Sequence, residues 1–251
     1  MILPLRIAAM ILWLLALLPL HGIWRLFRRP SPWPRAFLGG IARIAGARVA
    51  VRGEPLPAPV LYLANHQSWL DIMVLAGASG AAFVSKDDVS RWPLFGWLAS
   101  LNNTVFIARS DRNGVRQQAD ALASALLGPQ PVALFPEGTT TDGAALLPFN
   151  ASLLGAVAPP PPGVRVQPVA IDYGEARADI AWFGEETAAA NVMRVLRRRG
   201  RFDVTLRFLP MKRSPGDRKR IARDARSAIE EALYGGASQS DRPFGSTRPS
   251  L

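Results

Sequence analysis

The chain has no cysteine and only two histidines, His21 and His66. Disulfides, thiolate metal sites and a cysteine nucleophile are therefore excluded. Acid is also scarce: 19 Asp and Glu stand against 30 Lys and Arg, a formal net charge of +11. Such a balance favours an anionic partner: nucleic acid, an anionic lipid surface or an acidic carrier protein. Nucleic acid fits poorly, because the aromatics lie in apolar segments and are not interleaved in a basic groove. Charge of either sign disappears between Arg6 and Arg25, where IAAMILWLLALLPLHGIW is almost wholly apolar. As a helix these 18 residues reach roughly 27 Å, close to the ~30 Å hydrocarbon thickness of a bilayer.

That segment is expected to be a membrane anchor over residues 1–34, either a short span or one arm of a hairpin in one leaflet. Pro19, His21 and Gly22 are expected to interrupt its far end. Arg25, Arg28, Arg29 and Arg35 then sit among anionic headgroups, with Trp13, Trp24 and Trp33 as interface anchors. A cleaved signal peptide fits less well: Arg6 alone makes its basic region, and no small-x-small cleavage site follows.

A chain of 251 residues, 49% hydrophobic, suits one domain with an appendage. After the prolines at 30, 32 and 34, a basic amphipathic helix is expected over Arg35–Gly46. Strands then alternate with helices. Strands are expected at Arg48–Arg52, Val60–Ala64, Ala81–Ser85, Thr104–Ala108, Val132–Phe135, Val166–Asp172, Ile180–Phe183 and Asp203–Leu209. Helices are expected at Ser68–Ala78, Trp92–Leu101, Asn113–Leu127 and Ala188–Arg199. A last helix runs to about Tyr234, with Ser214 as its N-cap and Pro215 at its first position. This alternation predicts an α/β fold with a largely parallel sheet flanked by helices. The domain is expected over 35–234, and 235–251, rich in Gly, Ser and Pro, as a disordered tail.

The chemistry concentrates in two blocks. NHQSWLD (Asn65–Asp71) follows the apolar run VLYLA. A histidine at a strand end can be reached by a carboxylate on the first turn of the next helix. That carboxylate fixes the imidazole tautomer and leaves the other ring nitrogen free to accept a proton. Asn65 can hold the turn by hydrogen bonds. Ser68 reads as a helix-start residue, since no G-x-S-x-G elbow surrounds it. FPEGT (Phe135–Thr139) follows VALF; Pro136 and Gly138 force a turn that projects Glu137 from a strand end, where α/β proteins commonly place their sites. Between the blocks TVFIARSDR puts Arg109 just past a strand, suited to a bidentate phosphate or carboxylate contact.

In order, NHQSWLD, VFIAR, FPEGT and VQPVAI resemble the four motifs of the lysophospholipid acyltransferase family, PlsC-like and including the 1-acylglycerol-3-phosphate acyltransferases. The resemblance covers about Leu38 to Pro210. It implies a glycerolipid acyltransferase-like fold with His66 as general base and Asp71 as its partner. It also implies Arg109 at the acceptor's polar head, with Glu137, Gly138 and Thr139 shaping the acceptor site. Phosphatidate-forming members often read EGTR; here Thr140 stands in place of that arginine. FPEGTT followed by DG, with FVSKDDVSRWPLFGWLA, is also similar to bacterial lyso-ornithine lipid acyltransferases. The missing arginine weakens lysophosphatidate as acceptor, and the choice between lysophosphatidate and lyso-ornithine lipid stays open.

The implied reaction moves an acyl group from acyl-CoA or acyl carrier protein, as co-substrate, to a lysolipid hydroxyl. No metal or bound cofactor is needed, because a thioester is already activated. Oxyanion donors are expected from backbone N–H groups at the start of the Ser68 helix. The expected place is a bacterial-type inner, cytoplasmic membrane with the site facing the cytoplasm. A non-catalytic lipid-binding protein on the same fold is the alternative. A hydrolase would have to use Ser68 as nucleophile.

Overall fold

A computed structural model describes residues 2–28, 31–91, 93–107, 115–155, 160–211 and 217–235. In chain order the elements are α1 (Ile2–Leu26), α2 (Trp33–Ala45), β1 (Ala47–Arg52), β2 (Val60–Ala64), α3 (Leu70–Ser79), β3 (Ala82–Lys86) and α4 (Asp87–Ser90). Next come α5 (Pro93–Leu101), β4 (Val105–Ile107), α6 (Val115–Leu127), β5 (Val132–Leu134) and β6 (Arg165–Asp172). A 3-10 turn (Gly174–Ala176) leads into α7 (Arg177–Ile180), then α8 (Ala188–Arg197), β7 (Phe202–Phe208) and α9 (Arg218–Tyr234).

The strands form one sheet in the order β1-β7-β6-β2-β5-β3-β4. Every neighbouring pair is parallel except β6 with β7. The expected largely parallel α/β sheet is therefore present. β2, all apolar and buried at every position, is central, as expected of a strand covered on both faces. One core lies between the sheet and α2, α3 and α8, around Tyr62, Leu75, Val195 and Leu206. The other lies beneath α6 and α9, around Leu63, Leu122, Leu134 and Ile229.

Three expectations change. The run Ile180–Phe183 is not a strand: α7 ends at Ile180, and Trp182 contributes a backbone N–H to Gln67 O at 2.7 Å. One buried bond satisfies that donor without a ladder. Pro19 does not end α1, which continues to Leu26. The turn weakened by proline is held from outside: His21 Nδ1 lies 2.8 Å from Ser31 Oγ, and Trp24 packs edge-on to Trp33. The cap of α9 is Asp217, whose carboxylate accepts the N–H groups of Lys219 and Arg220. It stands immediately before the helical run. Ser214 and Pro215 lie outside the described residues, as do Trp92 and residues 236–251 of the expected tail.

α2 and α3 approach through glycines. A Cβ on Gly77 would lie 2.5 Å from Gly39 Cα, a backbone atom that cannot move aside. Gly77→Val is therefore expected to destabilise the fold by about 1–3 kcal/mol through overpacking, read as a lower denaturation midpoint at unchanged slope.

Candidate active site

Three adjacent parallel strands, β6, β2 and β5, end at one edge of the sheet. Leu63 pairs with Leu134, so in continued register Glu137 falls opposite His66. Ala64 pairs with Val169, which brings the end of β6 to the same place. Asn65 fastens this edge. Its Nδ2 donates to Ile171 O at 3.0 Å and its Oδ1 accepts Ile171 N–H at 2.8 Å, extending the β2–β6 pairing by a side chain.

His66 and Asp71, predicted as a pair, are brought together: Nδ1 lies 2.8 Å from Asp71 Oδ2. The His66 side chain keeps 17% exposure, and that of Asp71 has none. A carboxylate removed from water needs donors on both oxygens. Oδ2 also accepts the N–H groups of Gln67 at 2.6 Å and Ser68 at 2.8 Å, and Oδ1 accepts the Tyr173 hydroxyl at 2.6 Å. The imidazole lies flat on Phe135, with centroids 4.0 Å apart and planes 9° apart; Phe135 stacks in turn on Phe83. The ring is thus held from one face and from Nδ1. Among the described residues nothing bonds its Nε2, the nitrogen a base needs open.

The placement of Asp71 narrows the oxyanion expectation. The N–H groups of Gln67 and Ser68 are engaged by Asp71, and that of Leu70 by Ser68 Oγ at 3.4 Å. The buried carboxylate has thus taken two of the donors at the helix start, and among the described residues the N–H of Trp69 is bonded to none. The N–H groups of Thr139 and Thr140, after the left-handed Gly138 (φ 76°), bond to no described residue. Ser68 itself is fully buried, unsuited to serve as an accessible nucleophile.

Glu137 is directed into the protein. Oε1 accepts His66 N–H at 2.7 Å and Oε2 accepts Leu147 N–H at 2.9 Å. It braces the backbone of His66 against the following loop. Thr141 N–H adds a bond to His66 O at 3.1 Å. The loop is secured from α9: Tyr234 donates to Gly143 O at 2.8 Å and Arg226 to Leu146 O at 2.9 Å. Gly143 has φ 72°, and a Cβ there would collide with Gln67 Oε1. Thr139 is exposed on the turn; Arg109 lies outside the described residues.

Tyr173, Phe135 and Phe83 were not singled out as site residues by sequence reasoning. For Tyr173 a signal existed: an aromatic hydroxyl at the end of a buried strand needs a partner. Among the described residues, no group of three or more His, Asp or Glu side chains is placed to hold a metal ion.

Burial raises the proton affinity of Glu137 above the usual carboxylate range, against the lowering effect of its two backbone bonds and of His66. The folded protein then holds a proton that the unfolded chain releases, so this group's contribution to stability falls as pH rises from the ordinary glutamate value through the raised one. Glu137→Gln is expected to remove that component. The difference in unfolding free energy between native and variant protein, measured from pH 4 to 8, should slope accordingly.

The acyltransferase family model matches residues 48–172. The lyso-ornithine lipid O-acyltransferase of Rhodobacter capsulatus is 38% identical over 209 residues, 77% of this chain and 75% of that protein. The Brucella abortus protein of the same name is 33% identical over 254 residues, covering 91% and 94%. Among solved structures, the 1-acyl-sn-glycerophosphate (LPA) acyltransferase PlsC from Thermotoga maritima superposes with a TM-score of 0.52 at 20% identity, covering 96% of this chain and all of that one.

Proposed function

The chain belongs to the acyltransferase family, and from that premise we propose that it acylates the free hydroxyl of lyso-ornithine lipid at a membrane surface, using an acyl thioester. The observation that carries the reading is the His66–Asp71 pair, 2.8 Å apart at the carboxyl edge of the parallel strands with Nε2 open. The acceptor hydroxyl gives its proton to Nε2 as its oxygen attacks the thioester carbonyl carbon. Asp71 stabilises the imidazolium that forms. The carbonyl electrons move onto oxygen, where the N–H groups of Thr139 and Thr140 are suited to receive them. Collapse re-forms the carbonyl, breaks the C–S bond and returns the proton to the departing thiolate. The donor is acyl-CoA or an acyl carrier protein, and the latter's acidity suits the basic surface.

Two observations favour lyso-ornithine lipid over lysophosphatidate. Relatives named for it match most of the chain, and Thr140 removes a cation that a phosphate headgroup would use. Arg109 is then assigned to the carboxylate of the acceptor's head.

Membrane association rests on α1. It is long and apolar enough to cross a bilayer, and only 11% of its most apolar window is buried. Leu5, Ile11, Leu12, Leu15 and Ile23 are exposed along it, and Leu94, Phe95 and Trp97 on α5. Both ends are nevertheless tied to the domain. Arg6 donates to Arg198 O at 2.9 Å and Gly200 O at 3.1 Å beyond α8, and His21 meets Ser31 before α2. A helix held at both ends on one side suits the one-leaflet arrangement, with the anionic leaflet meeting Arg25, Arg28 and Arg35. The assigned place is the cytoplasmic leaflet of a bacterial-type inner membrane, where thioesters are made.

The test is acyl transfer by membranes containing the protein, with labelled thioester and a panel of lysolipids. Product is expected from lyso-ornithine lipid, and His66→Ala should lose roughly 10²–10⁴-fold in rate. Thr140→Arg should raise transfer to lysophosphatidate relative to the native protein. Product from lysophosphatidate alone contradicts the acceptor assignment.

A further inference from the structure

Tyr173 directly follows β6, beside the strand β2 that leads to His66. Its side chain is buried, and its hydroxyl donates to Asp71 Oδ1 at 2.6 Å. The other three donors to this carboxylate, from His66, Gln67 and Ser68, all converge on Oδ2. Among the described residues, Tyr173 is therefore the donor that satisfies Oδ1.

We propose that Tyr173 is a positioning residue that sets the proton affinity of His66 by acting through Asp71. The proposal rests on the reading of His66 as the general base. Two physical effects follow from the geometry. First, the two oxygens of a free carboxylate are equivalent, and rotation about the Cβ–Cγ bond exchanges them. A donor on Oδ1 opposite three on Oδ2 fixes that torsion, so Oδ2 stays aimed at Nδ1 and holds the base's tautomer. Second, a carboxylate whose charge is shared among four donors attracts an adjacent imidazolium less than one with three. The hydroxyl thereby keeps His66 free to act as base at lower pH, without giving up the bond that orients it.

Tyr173 is suited to this for a reason of its own. Burial, followed by the charge of Asp71 and the hydrogen bond to it, pushes the phenol well above its ordinary proton affinity. It remains a donor through the working pH range. A third titratable group, Glu137 from beyond β5, interacts electrostatically with both His66 and Asp71. It is unchanged in the variants below, so its influence is common to all of them. The ring of Tyr173 packs at 6.3 Å from Phe202 on β7, a contact that phenylalanine keeps.

The experiment compares the pH dependence of kcat/KM for acyl transfer to lyso-ornithine lipid in the native protein, in Tyr173→Phe, and in full-length protein carrying 3-fluorotyrosine at position 173. In Tyr173→Phe the plateau kcat is expected to fall about 10–100-fold, the loss of one hydrogen bond to a charged group, with KM little changed. Its acid limb is expected to move to higher pH. Fluorotyrosine, a stronger donor of the same shape, is expected to move the acid limb to lower pH. Opposite displacements support the proposal. A merely structural tyrosine would lower the melting temperature of the Phe variant and leave both acid limbs in place, which overturns it. Should the Phe variant not fold, the fluorotyrosine protein decides alone. His66→Ala retaining full transfer overturns the reading of His66 and this proposal with it, whereas His66-dependent transfer with unmoved acid limbs overturns this proposal alone.

Discussion

A carboxylate with no access to water imposes the strictest condition in this structure. Asp71 can remain charged at its depth only if hydrogen bonds replace its hydration. Two of them come from the backbone of Gln67 and Ser68, which fixes the path of the chain before α3. Another comes from Tyr173, which ties that path to the end of β6. The fourth, from His66, turns a structural solution into a chemical one. The same bonds occupy the N–H groups of Gln67 and Ser68, and the proposed oxyanion donors are accordingly assigned to the turn after Gly138.

The sheet makes the arrangement economical. With β6, β2 and β5 side by side, three short segments beyond their ends need only a few residues each to deliver Tyr173, His66 and Glu137 to one place. Glu137 then ties two of these segments together through backbone N–H groups on either side. α9, remote in sequence, secures the loop through Tyr234 and Arg226. α1 is built into this assembly as well: Arg6 occupies the carbonyl-rich end of α8, where a cation is favoured. An exposed apolar helix fixed in this way has a set orientation relative to the rest of the domain.

Much of the architecture was legible because it rests on local pattern. Val60–Ala64 is apolar at every position, and the structure gives a strand with the same bounds. The paired blocks around His66 and Glu137 were legible because each follows such a strand. Ile180–Phe183 was not: a four-residue apolar run suits a strand, a helix end or a buried connection equally, and a single bond from Trp182 to Gln67 decided among them. The α9 cap was placed three residues early, at Ser214, because Pro215 suits a first helical position, whereas the capping oxygen comes from Asp217. The inward orientation of Glu137 was illegible, since it depends on the β2–β5 register. Tyr173 was hidden for the same reason: 102 residues separate it from Asp71, and only the sheet order brings them into contact.

The central claim is that His66 and Asp71 act as one unit in acyl transfer. A double-mutant cycle measures this directly, with His66→Ala, Asp71→Asn and the double variant assayed for transfer to lyso-ornithine lipid and each shown to be folded. Groups that act together lose their joint contribution once, so the double variant should be no slower than His66→Ala alone. Losses that multiply across the two substitutions would mean that the residues work independently, and would contradict the account.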